Sequence, residues 1–476
     1  MVPGLKILNA SQAALCDEYT RQHEPISESD LMERASVRVA QQMVKDWGEN
    51  ASFHVVCGPG NNGGDGLCIA AFLAERKIQV RCSVFQGNKT LSAEMQLRLK
   101  LPEILNNCRI TLCTSPTELH FLPGEIVVDA LFGTGLRSQL TDFWAKITHQ
   151  INQSGNRVVS VDIPSGLFTD APQKQAPFVK ANQTYTIQTP KISFFYPENQ
   201  IQFSVIDAGI NTGEVGIDYF YLDPGQPSVK NAVQQWLPHR SRFGHKGTFG
   251  HTLLIGGNEG MGGAIALAAN ACAHAGSGLT TVWAPQAAQF YLGQQPSVMH
   301  KIAPLQLPIP TELNLNRFSA IAIGPGLGVS HSATALLHEL LINAQQPLIL
   351  DADALNIIAQ NKQWLKLIPK GSIITPHPKE FERLFGQVEN GYQKLSLLKK
   401  LASELGIYIL AKDTYSALCN PKGQIIFNGT GDHKLARGGS GDKLTGTIAS
   451  LFAQNKDMMK AATCAMYYCG QGGLFI

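Results

Sequence analysis

The sequence reads as an α/β protein of two domains, each a mostly parallel sheet covered by helices on both faces. Three observations lead there. Short apolar runs alternate with helix-patterned segments along most of the chain, which is how strands buried on both faces are written. The alternation breaks once, between about Asp218 and Arg240, where Pro224, Gly225, Pro227 and Pro238 punctuate the chain. And 476 residues exceed what one ordinary core holds. The expected domains are residues 1–217 and 226–476.

The elements follow in order. Asp30 with Glu33 has the spacing of a capping box. Leu31, Ala35, Val39 and Met43 then recur every four residues, one face of a helix. Phe53–Cys57 is a strand that runs into Gly58-Pro59-Gly60-Asn61-Asn62-Gly63-Gly64-Asp65-Gly66. Ile69 to Arg76 is the helix after that loop and Val80 to Phe85 the next strand. Ile126–Asp129 and Val158–Asp162 are further strands, both ending in aspartate. Beyond the break, His251–Ile255 is a strand leading to Gly256-Gly257, and Ala264 to Ala275 is an alanine-rich helix. Strands are expected at Leu279–Trp283, Ala320–Ile323, Leu348–Leu350, Ser372–Thr375 and Tyr408–Leu410. Tyr415–Cys419 and Ile425–Asn428 form a hairpin about Pro421-Lys422-Gly423. Gly438-Gly439-Ser440-Gly441-Asp442 precedes a helix from Leu444 to Ala453.

Composition narrows the function. Hydrophobic residues make up 44% and charged residues 16%, which fits large cores. The net charge of +3 carries no long basic block, so nucleic acid is not an expected partner. No apolar run approaches the roughly 20 residues that cross a bilayer, and the first residues lack the apolar core of a secretion signal. The expectation is a cytoplasmic protein away from membranes. The ten cysteines lack zinc spacing and read as small core residues.

Both glycine-rich loops run into an aspartate at a helix start, where free backbone N–H groups and the helix dipole favour an anion. Two such loops in otherwise dissimilar halves suggest two active sites handling phosphate-bearing molecules. The first formally matches the dinucleotide fingerprint Gly-x-Gly-x-x-Gly. The acid that would hold a ribose at the end of the next strand is missing, since that strand ends Phe85-Gln86-Gly87. An ordinary dehydrogenase mode is therefore not expected. Asn62, Asp129 and Ser165 offer oxygens suited to a hard cation, and Asp162 is the candidate for acid–base work.

Asn61-Asn62-Gly63-Gly64-Asp65-Gly66, Val128-Asp129-Ala130-Leu131-Phe132-Gly133-Thr134-Gly135-Leu136 and Val161-Asp162-Ile163-Pro164-Ser165-Gly166-Leu167 closely resemble the NAD(P)H-hydrate epimerase family, over roughly the first 210 residues. The resemblance implies a Rossmann-like three-layer αβα domain with a potassium ion on Asn62, Asp129 and Ser165. It implies a hydrate site lined by Asn61, Asn62, Gly63, Gly64 and Asp65, by Gly133, Thr134, Gly135, Leu136, Arg137, Ser138 and Gln139, and by Asp162. Thr189-Pro190-Lys191-Ile192-Ser193 follows the family's lysine-containing segment only loosely.

In the second loop, amides at a helix N-terminus can stabilise a transferring phosphoryl group, and Asp442 can take a proton from an attacking hydroxyl. That is the logic of a small-molecule kinase, without a P-loop. Lys412, at a strand end, is either a phosphate ligand or a surface lysine; His377, between two prolines, is either a ligand contact or a solvated turn.

With His245-Lys246-Gly247, Ile255-Gly256-Gly257, Gly324-Pro325-Gly326-Leu327-Gly328, Asp351-Ala352-Asp353-Ala354-Leu355, Thr375-Pro376-His377-Pro378 and Gly438 to Asp442, residues 240–450 resemble the ADP/ATP-dependent NAD(P)H-hydrate dehydratases, a branch of the ribokinase-like αβα fold. The resemblance implies that Ala264, Gly326, His377 and Asp442 contact the hydrated cofactor, and that Lys412, Asp413, Thr414, Tyr415, Ser416 and Gly441 contact the nucleotide. Asp413 and Lys379 stand where the family commonly has glycine.

The resulting expectation is a bifunctional repair enzyme. One half interconverts R and S hydrates of NADH and NADPH through Asp162. The other dehydrates the S form through Asp442, using ADP with Mg2+. The partners are these small molecules, with a homo-oligomer as the assembly. The alternative is a vitamin or sugar kinase fused to a noncatalytic nucleotide-binding module.

Overall fold

The computed structural model describes residues 2–101, 108–140, 142–172, 177–213, 215–302, 314–431, 435 and 437–473. The chain forms two compact units. One comprises Lys6–Ile217 with Asn390–Tyr392, and the other comprises the remainder.

In the first unit the sheet order is Arg109–Cys113, Val80–Phe85, Phe53–Cys57, Ile126–Ala130, Arg157–Val161, Gln183–Ile187 and Phe203–Ile206, and every pairing is parallel. The chain builds outward from Phe53–Cys57 in one direction and then, from Ile126–Ala130, in the other. The switch point therefore lies between these two strands, where open α/β sheets hold ligands.

The helix carrying Leu31, Ala35, Val39 and Met43 buries all four, as the periodicity requires. Its start differs from the expected one. It runs Glu28–Trp47, capped by Ser27, whose Oγ accepts the Asp30 N–H at 3.0 Å. Asp30 lies inside the first turn, where its charge suits the dipole. The next helix, Asn61–Glu75, also begins early, within the glycine-rich stretch itself. Gly63 is needed there because a Cβ would lie 2.0 Å from the Gly58 carbonyl oxygen. The glycines bring the helix close against its strand rather than forming an open loop.

In the second unit the order, starting from Tyr219–Leu222, is Ile425–Asn428, Ala417–Cys419, Tyr408–Ala411, Ile373–Ile374, Leu348–Leu350, Ala320–Ile323, His251–Ile255, Leu279–Ala284 and Val298–Ile302. Only the pairings on either side of Ala417–Cys419 are antiparallel. Here the switch point lies between His251–Ile255 and Ala320–Ile323.

Tyr219–Leu222 falls within the segment expected to be the domain junction. It pairs in parallel with Ile425–Asn428, and Pro227 opens a helix, Pro227–Gln234. Proline at the first helical position costs no hydrogen bond, so the punctuation marked a helix start as well as a break. The expected alanine-rich helix is Gly262–His274, and the helix after the second glycine loop is Ser440–Asn455. The α/β class and its mostly parallel sheets stand as expected. Among the described residues no helix is long and apolar enough to cross a membrane. Nine of the ten cysteines are buried and all are free.

Candidate functional site

The first unit holds a cavity of about 860 Å³ at its switch point. Of the expected site residues, Asn61, Asn62, Asp65, Gly133, Thr134, Gly135, Leu136, Arg137, Ser138 and Asp162 line it. Gly63, Gly64 and Gln139 are not among the lining residues. Gly63 and Gly64 are buried in the helix behind the cavity wall.

Asp162 lies just past the end of its strand with φ +64°, a conformation that a non-glycine residue adopts only when its surroundings impose it. Its Oδ1 accepts from Lys191 Nζ at 2.7 Å, from the Ile187 N–H at 3.0 Å and from Thr186 Oγ1 at 3.4 Å. Lys191, from the loosely matching segment, is thus the cationic partner of the candidate base. Its ammonium also donates to Thr186 Oγ1 and to the Thr189 carbonyl.

Asp65 is raised to about 7 by burial and by the Asp162 charge, against a hydrogen bond from Ser36 Oγ at 2.8 Å. Asp17, which the sequence reading passed over, lines the same cavity. It is raised to about 6, first by burial and then by the Asp162 charge, with Lys191 opposing.

Asp129 is fully buried. Its Oδ2 accepts from Ser160 Oγ and the Ser165 N–H, both at 2.8 Å, and its Oδ1 from the Leu131 N–H at 3.3 Å. Burial raises its carboxyl even against these donors. Ser165 Oγ bridges the Phe132 N–H and carbonyl. Asn62 is buried, close to Gly133, and its Nδ2 has no partner among the described residues. The donor set is all oxygen with one carboxylate, which fits a hard cation of low charge. Among the described residues no cluster of three or more His, Cys, Asp and Glu could hold a metal.

The second unit holds a cavity of about 760 Å³. His377, Lys412, Asp413, Thr414, Ser416 and Gly441 line it; Tyr415, Asp442, Ala264 and Gly326 do not. Ala264 and Gly326 meet each other instead at the switch point, where a Cβ on Gly326 would lie 3.3 Å from the Ala264 Cβ and the Asn258 N–H donates to the Gly326 carbonyl at 2.6 Å.

The helix that carries Asp442 is capped by Gly439 in the left-handed conformation, φ +88°, which glycine adopts without penalty. Asp442 in its first turn is raised to about 6 by burial and by the Asp351 charge, with Lys412 opposing. Lys412 Nζ is 2.7 Å from Asp351 Oδ1, and Thr445 Oγ1 donates to Oδ2 at 2.6 Å. Burial alone would raise Asp351; the ammonium and hydroxyls outweigh it and hold the carboxyl low. A Cβ on Gly441 would lie 3.4 Å from Lys412 Nζ, so loop and lysine share one place.

His377 caps the helix Pro378–Phe385. Its Nδ1 accepts the Lys379 and Glu380 N–H groups at 3.1 and 3.4 Å. Burial and the nearby Lys412 charge lower its pKa, so the ring is neutral with Nε2 as its donor. Asp413, the departure from glycine, is answered by Lys394 Nζ at 2.7 Å from its Oδ2.

Residues 28–193 match the family model described as YjeF-related protein N-terminus, and residues 252–475 match that of NAD(P)H-hydrate dehydratase. The bifunctional NAD(P)H-hydrate repair enzyme of Coxiella burnetii is 32% identical, over 93% of this chain and 89% of its own. This chain belongs to the bifunctional NAD(P)H-hydrate repair enzyme family. The member from Moorella thermoacetica is 30% identical over 98% of this chain and 92% of its own. Among solved structures, an ADP/ATP-dependent NAD(P)H-hydrate dehydratase from Bacillus subtilis, co-crystallised with ATP/Mg2+, is 30% identical, covering 51% of this chain and 86% of its own with a TM-score of 0.44. A ribokinase-like superfamily protein from Enterococcus faecalis is 28% identical, covering 53% and 87% with a TM-score of 0.47. The repair family thus spans both units, each with its own cavity.

Proposed function

We propose that the first unit interconverts R and S hydrates of NADH and NADPH with Asp162 as the proton acceptor, and that the second removes water from the S hydrate with ADP as donor, releasing AMP and phosphate. The observation that carries the second role is the raised Asp442 carboxyl at the start of the Ser440–Asn455 helix, beside the Lys412–Asp351 pair. Hydroxide leaves poorly. Asp442 takes the proton of the hydrate hydroxyl, the oxygen attacks the terminal phosphoryl, and the Gly439–Gly441 amides hold the developing charge. Phosphate then leaves where hydroxide would not.

Lys412, Asp413, Thr414, Ser416 and Gly441 hold the nucleotide, and Mg2+ would supply positive charge to its phosphates. Ala264, Gly326 and His377 contact the hydrate. In the first unit Asn62, Asp129 and Ser165 would hold K+, which would supply a fixed positive charge beside the cavity. Asn61, Asn62, Asp65 and Gly133, Thr134, Gly135, Leu136, Arg137 and Ser138 surround the hydrate. The family resemblance supports a cytoplasmic homo-oligomer.

The test is to supply pure S hydrate and, separately, pure R hydrate with ADP or ATP, and to follow the return of reduced nicotinamide absorbance. S hydrate reacts at once and R hydrate only through epimerisation. A stable phosphorylated product from a vitamin or sugar alcohol, with no reduced nicotinamide, would sink this reading in favour of a kinase.

A further inference from the structure

The epimerisation cavity has one acceptor assigned to it and no donor. Hydration of a dihydropyridine places the hydroxyl on the carbon bonded to the ring nitrogen, because the enamine protonates at its other carbon. The epimeric centre therefore carries both nitrogen and oxygen. Inverting it by breaking the C–O bond needs a proton for the departing hydroxyl and an acceptor for the proton of the water that returns on the other face.

We infer that Asp17 is that donor: a second catalytic carboxylate, carried on the helix Ala10–His23 and lining the same cavity as Asp162. This rests on the epimerase reading of the cavity. Asp17 lines the cavity together with Ala13, Ala14 and Arg21 of the same helix. It is half-buried, and among the described residues no hydrogen bond or ion pair reaches its carboxylate. With no partner in the fold, the carboxyl is available to a molecule in the cavity.

The environments of the two aspartates are pushed apart. Asp162 Oδ1 accepts from Lys191 and from two further donors. Asp17 has no such donors, and burial with the Asp162 charge favours its protonated form, about 6. The three donors on Asp162, one of them an ammonium, suit it to the base and leave Asp17 as the acid. Asp65 also lines the cavity, but one of its oxygens is committed to Ser36.

The step balances. The Asp17 proton goes to the hydroxyl, the C–O bond breaks and water leaves, while the nitrogen lone pair forms the C=N bond. Water adds from the opposite face, its proton going to Asp162. The two carboxyls then exchange roles in the reverse direction, so no oxidant or reductant is needed.

The experiment uses the full chain, with R hydrate of NADH in water enriched in oxygen-18. For wild type, each inversion should introduce one labelled oxygen. Asp17→Asn should lower the kcat of epimerisation by roughly 10²–10⁴-fold with KM nearly unchanged, and Asp17→Glu should recover part of it. Dehydration of S hydrate by the variant, unchanged, reports that the chain is made and folded, and hydrate binding to the variant by calorimetry reports an intact cavity. Epimerisation by Asp17→Asn within about threefold of wild type, or inversion by wild type without label, overturns the role of Asp17. Absence of any epimerisation by wild type overturns the reading of the cavity itself.

Discussion

The two cavities are built alike at one point and differently at another. Each sets a lysine 2.7 Å from an aspartate, Lys191 on Asp162 in the first unit and Lys412 on Asp351 in the second, and each places further carboxyls with raised pKa nearby. The difference lies in which aspartate the lysine holds. In the first unit it holds the proposed base itself. In the second it holds a buried neighbour, and the proposed base, Asp442, is left to the helix N-terminus. A lysine on the base fixes the position of its carboxylate within the cleft. A lysine paired with a neighbour leaves the base's own oxygens open to a hydroxyl.

That contrast can be broken most sharply at Asp442. Asp442→Asn should lower dehydration by roughly 10²–10⁴-fold and leave epimerisation as it was; comparable loss of both activities would point to misfolding instead. Lys191→Met leaves Asp162 as a largely buried carboxylate without its cation. Epimerisation should fall by about 10²-fold, and the first unit should lose about 3 kcal/mol, read by urea unfolding of the full chain with the second unit's transition unmoved.

The pH dependence sharpens the same point. A base must be deprotonated to act, and Asp442 is raised to about 6. Dehydration kcat/KM should therefore be flat above that value and fall about tenfold per pH unit below it. A profile flat down to pH 4.5 would mean that another group takes the proton. The smallest effect is expected at Lys394→Met. Freed of its ion pair, Asp413 would face the nucleotide phosphates as an uncompensated charge, raising the nucleotide KM by about fivefold with kcat held. An unchanged KM would mean that Asp413 points away from the nucleotide.

Much of this was readable in the chain. Phe53–Cys57, Val80–Phe85, His251–Ile255 and Ile425–Asn428 are strands with the bounds that apolar runs between turn residues suggest. Helix starts were read late. Glycine normally argues against a helix interior, yet Gly63 and Gly66 lie in one because the neighbouring backbone and side chains leave no room for larger residues. The strand Tyr219–Leu222 was hidden because its partner, Ile425–Asn428, lies some two hundred residues away. Local pattern carries no trace of such a pairing.

By itself, the sequence determined the α/β class, the two glycine–aspartate motifs and the residues that gather at strand ends, because periodicity and short motifs are local properties of the chain. Tertiary structure alone decided that Lys191 grips Asp162, that Lys412 grips Asp351, that Lys394 answers Asp413 and that Asp17 shares a cavity with Asp162. Each of these depends on segments 19 to 145 positions apart in the chain being folded into one low-dielectric space, where burial and neighbouring charge set which carboxyl holds a proton.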